Sequence, residues 1–519
     1  EERRIKYTRS RGSILSDINI IVGPPGTGKT TRLLDIVEYD LGTGIDPEDI
    51  CFLAFTRKAA MEAKTRAMRK FLLTDKDLKY FRTLHSLAFM ELGLTSASVM
   101  GVRDYLNIAK MLGISITIRR FQDEGSMFGM NKGDRLLFVE NLARNKNMSL
   151  REYWESLIDE DIDWFELLQL HETLKKYKEV NGKIDFTDML TLCLEREIKM
   201  RVKVGIVDEA QDLSSLQWNL IEQLFEDVEH IHIAGDDDQA IFRWAGADVD
   251  RFINLKGKVK VLDQSYRIPR KVHELSHEVI SRVTNRRPKE FLHREEAEGK
   301  VEWVAAMEEI DMSVGTWYLL ARNIYLLDKY IEHCMRSGYV FEAIVGSPTR
   351  SPALRAVRYW EQLRKGRRIT AGQAKEIYTF MSVRDRVKHG FKQVLTAEED
   401  DKMLCLEDLH ACYGLATRDI WHIALDRLSD EERVYFLAAL KNGENLLKEP
   451  RIRISTIHGV KGGEAENVVL LTDMALRTYN EYMENPEDEA RVWYVGMTRC
   501  SDHLFIVAPE TNNHYIEVL

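Results

Sequence analysis

The sequence of 519 residues has no apolar run approaching the ~20 residues that cross a bilayer as a helix, so a helical membrane protein is excluded. CxxC pairs are also missing. The six cysteines (Cys51, Cys193, Cys334, Cys405, Cys412 and Cys500) are scattered, which argues against a zinc site or a disulfide framework and fits reduced thiols. The polar opening Glu1-Glu2-Arg3-Arg4 has no signal-peptide character, and a cytoplasmic location is expected. There is no internal repeat, low-complexity tract or linker. Positive charge is in deficit, with 74 Lys and Arg against 84 Asp and Glu and a net charge of −10. Net charge governs solubility and steering, whereas nucleic-acid binding needs only a local basic track. One such track runs from Arg57 to Arg82 (Lys58, Lys64, Arg66, Arg69, Lys70, Lys76, Lys79). A second runs from Arg355 to Lys392 (Arg364, Lys365, Arg367, Arg368, Arg384, Arg386, Lys388). Each is equally readable as a solvated helix face.

What is present is a rhythm of short apolar runs. Ile18–Val22, Cys51–Phe55, Val204–Val207 and Ile231–Ala234 read as buried strands, as do Val468–Leu471 and Leu504–Val507. Strands of this kind alternating with helical stretches predict parallel α/β sheets, and their clustering at two ends predicts two of them. The chain is too long for one core. Residues 91–183 and 350–448 lack the rhythm and carry helical spacing instead. The expected plan is therefore a first α/β domain from 1–90 and 184–265 with a helical insertion at 91–183. A second would span 266–349 and 449–519, with a reduced helical insertion at 350–448.

Gly23-Pro24-Pro25-Gly26-Thr27-Gly28-Lys29-Thr30 matches G-x-x-x-x-G-K-[ST], between a predicted strand and a helix starting near Thr30. Glycines there let backbone N–H groups wrap phosphates at the positive end of the helix. Lys29 would reach the β- and γ-phosphates of ATP, and the Thr30 hydroxyl would ligate Mg2+. Asp208 and Glu209 follow the strand Val204–Val207. Asp208 is placed to hold the metal, and Glu209 to orient and deprotonate the attacking water.

Five further segments follow in order. They are Asp208-Glu209-Ala210-Gln211-Asp212, Gly235-Asp236-Asp237-Asp238-Gln239-Ala240-Ile241-Phe242-Arg243-Trp244, Gln264-Ser265-Tyr266-Arg267, Thr456-Ile457-His458-Gly459-Val460-Lys461-Gly462-Gly463-Glu464 and Tyr494-Val495-Gly496-Met497-Thr498-Arg499. With the glycine loop, this set resembles the UvrD, PcrA and Rep helicases of superfamily 1. The resemblance covers about half the chain and implies two RecA-like motor domains. It also implies that Gln239 senses the γ-phosphate, that Tyr266 stacks on adenine and that Glu464 lies near the ribose. Arg267 and Arg499 resemble two arginines that the second motor domain contributes to the γ-phosphate, and a guanidinium suits charge on a transferring phosphoryl group.

Single-strand binding needs π-faces for bases and donors for phosphates. Phe55-Thr56-Arg57-Lys58-Ala59-Ala60 resembles the family's TFTNKAA segment, with Arg57 in place of Asn, and Thr83-Leu84-His85-Ser86 resembles the next DNA-contacting motif. Phe242 and Trp244 stand where the family stacks bases, and His458 resembles a strand contact. Aromatic pairs and histidines of this kind serve equally as core packing. Three departures stand out. No glutamine precedes Gln122, so the family's adenine-reading glutamine has no counterpart. Thr31 intervenes before Arg32, where the family has Arg directly after the loop threonine, and Ala245 replaces an arginine after Trp244. The resemblance implies ATP-driven 3′-to-5′ travel on single-stranded DNA, acting on tailed duplexes and alongside replication or repair proteins. An ATP-driven remodeller that displaces or loads proteins without unwinding shares every motif. A nuclease domain is not expected, since some twenty residues follow Arg499.

Overall fold

The structure is a computed structural model, and it describes residues 18–117, 131–157, 162–344 and 351–518. The N-terminal segment Glu1–Arg4 and Gln122 lie outside the described residues. The chain divides into two compact units. One holds the residues up to Lys300 together with Leu476–Asp502; the other holds Val301–Ala475 and the residues from His503 onward.

The first unit is built on six strands: β1 (Ile18–Val22), β2 (Ile50–Ala54), β3 (Phe81–Thr83), β4 (Val204–Val207), β5 (His230–Gly235) and β6 (Lys258–Val261). Their order is β3-β2-β4-β5-β1-β6, and every neighbouring pair is parallel. Every residue of β2 and β4 is buried, as expected of strands covered on both faces, so they read as unbroken apolar runs. The sheet's edges were invisible in the sequence for the same physical reason. β3 is only three residues long, and Lys258-Val259-Lys260-Val261 of β6 is largely exposed and lacks an apolar run. In a parallel sheet the strands end at one edge. The turns after Val22, Ala54, Val207 and Gly235 therefore collect there, and these carry the candidate site residues.

The stretch 91–183 is helical where described, with helices Val102–Leu112, Lys132–Asn145, Leu150–Glu155 and Trp164–Asn181. Asn131, Ser149 and Asp163 cap three of them through side-chain oxygens. Ile108, Leu136, Val139, Leu167 and Leu170 give the stretch its own core. Arg144 ties it to the following helix by ion pairs of 2.8 Å to Asp185 and 3.0 Å to Asp188.

The second unit contains β7 (Lys300–Val304), β8 (Trp317–Ala321), β9 (Phe341–Ala343), a short antiparallel pair β10 (Ile369–Thr370) and β11 (Met403–Leu404), β12 (Ile452–Thr456), β13 (Ala465–Leu471) and β14 (Cys500–Val507). Its six-stranded sheet runs β7-β14-β13-β8-β12-β9, and β8 is parallel to both of its neighbours. Tyr330 pins the core, its hydroxyl donating to Leu320 O and Val469 O at 3.0 and 3.1 Å. Between β9 and β12 the chain is mainly helical. Part of the second basic track is tied up locally here: Arg355 pairs with Glu376 at 2.9 Å, Arg364 with Glu361 at 2.8 Å and Arg386 with Asp419 at 3.0 Å. Lys365, Arg367, Arg368, Arg384 and Lys388 of the same track are exposed.

Candidate active site

After β1 the chain turns through Gly23–Gly28 into helix Lys29–Gly42. The loop is fastened to the neighbouring strand end, Gly23 N–H donating to Gly235 O at 3.0 Å. Thr27 closes it upon itself through a 2.7 Å hydroxyl bond to Pro24 O. Gly26 and Gly28 have φ of +73° and +79°, conformations that strain any residue with a Cβ. At Gly26 a Cβ would in addition come within 2.5 Å of the Arg267 Cβ. Helix Lys29–Gly42 has no side-chain cap, which leaves its first-turn N–H groups as a positive pole for an anion. Thr31 and Arg32 lie on that first turn.

Lys29 Nζ donates to Gly23 O at 2.9 Å and stands 3.9 Å from Glu209 Oε1. The Thr30 hydroxyl donates to Asp208 Oδ2 at 3.1 Å, across 178 residues of sequence. Burial first, and the neighbouring Glu209 carboxylate next, push Asp208 up to about 7. A buried carboxylate in that condition favours a positive charge beside it. With a hydroxyl as co-ligand it makes a hard oxygen pair of the kind Mg2+ takes when phosphates complete its shell. Among the described residues no cluster of three or more acidic, His or Cys side chains is poised to hold a metal unaided. Glu209 sits in the left-handed region at φ +56°, a conformation that costs a non-glycine residue about 1–3 kcal/mol and persists only where surroundings enforce it.

Those surroundings form a chain of hydrogen bonds. Gln211 Nε2 donates to Glu209 Oε2 at 2.5 Å, while Gln211 Oε1 accepts from the Asp236 N–H at 2.9 Å. Asp236 Oδ2 accepts from Gln239 Nε2 at 2.7 Å, and Gln239 Oε1 accepts from Arg499 Nη2 at 2.9 Å. Arg499 is fully buried and also donates to Val495 O at 3.0 Å. On the loop's other side, Ser265 Oγ donates to Pro25 O at 2.9 Å and Tyr266 N–H to Gly26 O at 2.9 Å. This places Arg267 against Gly26 and leaves the Tyr266 ring 72% exposed beside the loop.

Residues 9–260 match the family model described as the UvrD/REP helicase N-terminal domain, and residues 451–507 match the UvrD-like helicase C-terminal domain. The chain belongs to the UvrD-like helicase family. It is similar to the "ATP-dependent DNA helicase Rep" of Buchnera aphidicola, 26% identical over 52% of this chain and 42% of that protein. The "ATP-dependent DNA helicase PcrA" of Bacillus subtilis is 26% identical over 52% of the chain and 38% of its own length. A "Probable DNA helicase II homolog" of Mycoplasma pneumoniae is 22% identical over 98% of the chain and 83% of that protein. The chain thus spans about four-tenths of the Rep and PcrA relatives and most of the mycoplasma one.

The residues expected to contact nucleic acid divide between the two units. In the first, Thr56 caps helix Arg57–Phe71 by accepting from Ala59 N–H at 3.1 Å, and both Thr56 and Arg57 are exposed. Phe55 stacks on Phe242, with centroids 6.0 Å apart, and half-buried Trp244 stacks on Phe138 of helix Lys132–Asn145 at the same distance. The aromatic pair is therefore neither free in solvent nor sealed in the core. His458 and Glu464 belong to the second unit, His458 buried in the turn after β12 and Glu464 exposed before β13. Among the described residues no helix is long and apolar enough to cross a membrane.

His85 packs edge-on against Phe186 at 5.9 Å, and burial, reinforced by Arg57, pushes its pKa down to about 4. At neutral pH it is uncharged and offers a hydrogen bond, not a cation. Its folded value lies below the 6.5 of the unfolded chain, so the stability it contributes is complete above that value and is lost as pH falls toward 4. Thermal melts at about pH 7, 5.5 and 4 should show His85→Gln losing less on acidification than the parent protein. Parallel losses would remove this assignment.

Sequence reasoning missed Gln211 as a site residue although it stands inside the segment Asp208–Asp212. Its only signal was a polar side chain two positions past Glu209. Lys289, Arg286 and Arg491, which meet the aspartate run Asp236–Asp238, carried no local signal.

Proposed function

We propose that this chain is an ATP-dependent DNA helicase that translocates 3′-to-5′ on single-stranded DNA and unwinds tailed duplexes. The observation that carries the reading is the hydrogen-bond chain from Glu209 through Gln211, Asp236 and Gln239 to Arg499, beside the Thr30–Asp208 pair. This combination of donors and acceptors suits phosphoryl transfer. Lys29 and the loop N–H groups hold the β- and γ-phosphates, and Thr30 with Asp208 would hold Mg2+. When bound, that ion offsets charge on the phosphoryl oxygens. Glu209 takes a proton from the attacking water. Arg499 and Arg267 neutralise the charge that grows on the γ-phosphate, and Gln239 registers whether that phosphate is present. Tyr266 covers the adenine, and Glu464 is assigned to the ribose.

Coupling to DNA runs through the three to five residues that separate Gln239 from Phe242 and Trp244. A shift of Gln239 moves those rings, so bases stacked on them advance while Thr56, Arg57, His85 and His458 grip phosphates and bases. The motor domains assigned to this cycle are 1–90 with 184–265, and 266–349 with 449–519. The test compares ATPase stimulation by single-stranded DNA and RNA, then unwinding of 3′- and 5′-tailed duplexes. Protein displacement without unwinding would replace the helicase reading with a remodeller.

Trp244 gives a sharper expectation. Trp244→Ala should weaken single-strand affinity by about 1–3 kcal/mol while basal ATPase survives and DNA stimulation collapses. Trp244→Phe should retain part of both. Because the indole also stacks on Phe138, some loss of melting temperature is expected. Equal loss of basal and stimulated rates would make it a packing residue alone.

A further inference from the structure

The hydrogen-bond chain passes through one residue, by its main chain on one side and its carboxylate on the other. Asp236 receives Gln239 on Oδ2 and, through its own N–H, fixes Gln211 and hence Glu209. It belongs to a run of three consecutive aspartates, Asp236-Asp237-Asp238, all with buried side chains. Three adjacent buried carboxylates repel one another and cannot keep a defined loop unless cations meet them.

The cations come from about fifty residues downstream. Arg286 takes Asp238 with both arms of its fork, at 2.9 and 2.5 Å. Asp237 Oδ2 accepts the main-chain N–H of Arg287 at 2.8 Å, a neutral donor, while the Arg287 guanidinium turns to Phe252 O and Leu255 O. Lys289 does something different. Its side chain is fully buried and its ammonium lies 3.0 Å from Asp236 Oδ1, 2.6 Å from Asp237 Oδ1 and 3.1 Å from Asp238 Oδ2. Asp237 and Asp238 each have a second anchor, and Asp236 Oδ1 also accepts the main-chain N–H of Asp238 at 3.3 Å. Among the described residues, Lys289 is the one cation in ion-pair contact with Asp236. Three carboxylates converging on a point suit an ammonium with three N–H donors, and a planar guanidinium cannot address all three.

We propose that Lys289 is a positioning residue for the hydrolysis described above. Its ammonium holds the Asp236 carboxylate in the orientation that aims Gln239 at Arg499. Lys289 touches no nucleotide in this role and acts through Asp236. The inference rests on the reading of this site as an ATPase, and its test is arranged to separate the two.

Removing the ammonium alone would leave three aspartates facing one arginine and could unfold the loop. The informative variant therefore removes one charge of each sign, Lys289→Met with Asp237→Asn. Asparagine still accepts the Arg287 N–H, and Asp236 loses its partner. If Lys289 only balances charge, this double variant melts and hydrolyses ATP like the parent. If it aims Asp236, the double variant melts near the parent temperature and binds ADP by calorimetry within about threefold. Its DNA-stimulated kcat then falls by roughly 10²-fold with KM for ATP little changed, the signature of misplaced groups. Lys289→Arg, which keeps the charge, should fold and lose kcat by about tenfold or more at unchanged KM, because the fork misplaces Asp236. Parent-like kcat in Lys289→Arg or in a folded double variant overturns the proposal. Should the double variant unfold, Lys289→Arg decides by the same criterion. A parent protein without ATPase activity, equal to Glu209→Gln run alongside, would instead overturn the reading of the site.

Discussion

Glu209→Gln should cut DNA-stimulated ATP turnover by roughly 10²–10⁴ while nucleotide binding persists. The amide is isosteric and can still meet Gln211, so the local frame should hold. What disappears is the base that takes the water's proton. Lys29→Ala should reach a similar loss by a different route, because the cation that touches the phosphates is gone and binding weakens with it. The two therefore separate in a titration with ADP, where Glu209→Gln resembles the parent and Lys29→Ala does not. Near-normal turnover in Glu209→Gln would withdraw the catalytic assignment.

The second large effect is expected at Arg499. Arg499→Ala removes a guanidinium from the γ-phosphate and strands the Gln239 carbonyl that accepts from it. A loss of roughly 10²–10³ in kcat is expected, with much smaller change in affinity for ADP. Arg499→Lys should recover only part of this, since a single point donor cannot reproduce the fork that reaches Val495 O from Nε and Gln239 from Nη2. Arg267→Ala should also suppress hydrolysis more than binding. Its backbone contacts with Ser265 and the packing of its Cβ on Gly26 indicate that folding will tolerate the loss of the guanidinium. An unchanged kcat in folded Arg499→Ala would refute the role. Circular dichroism beside the kinetics guards against a trivial collapse, because Arg499 is a buried side chain.

These residues were legible in sequence to different degrees, for physical reasons. Lys29, Thr30, Asp208 and Glu209 sit directly at strand ends, and a strand end is set by a short local pattern. β1 and β4 begin and end where that pattern places them. The interior strands of the first sheet were readable for the same reason, and its edges were not, β3 being only three residues long and β6 too exposed to carry an apolar run; in the second sheet the interior strands β8 and β12 were missed as well. Lys289 escaped because its meaning lies in Asp236, Asp237 and Asp238, and no periodicity links positions some fifty residues apart. Arg491 escaped similarly. From helix Pro486–Met497 it donates to Asp237 O at 3.1 Å and Asn285 O at 2.8 Å, contacts that exist only once the fold has formed. Trp244 follows Gln239 by five residues in the sequence, whereas its stacking on Phe138 depended on an insertion whose sequence says only that it is helical.

The interleaving of the two units bears on how the protein acquires its activity. Segment Leu476–Asp502 joins residues that precede Lys300, while the chain between builds the other unit. Gln239 and Arg499 meet across 260 residues, and closing so long a loop costs about 3 kcal/mol more chain entropy than closing one of about ten residues. Early folding of Val301–Ala475 would shorten that loop and lower the penalty. Synthesis runs from the N-terminus, so a nascent chain displays the glycine loop and its lysine long before Arg499 emerges. Until then the loop and Glu209 stand without the guanidinium that Gln239 accepts from, so the relay is the last part of the site that synthesis can complete.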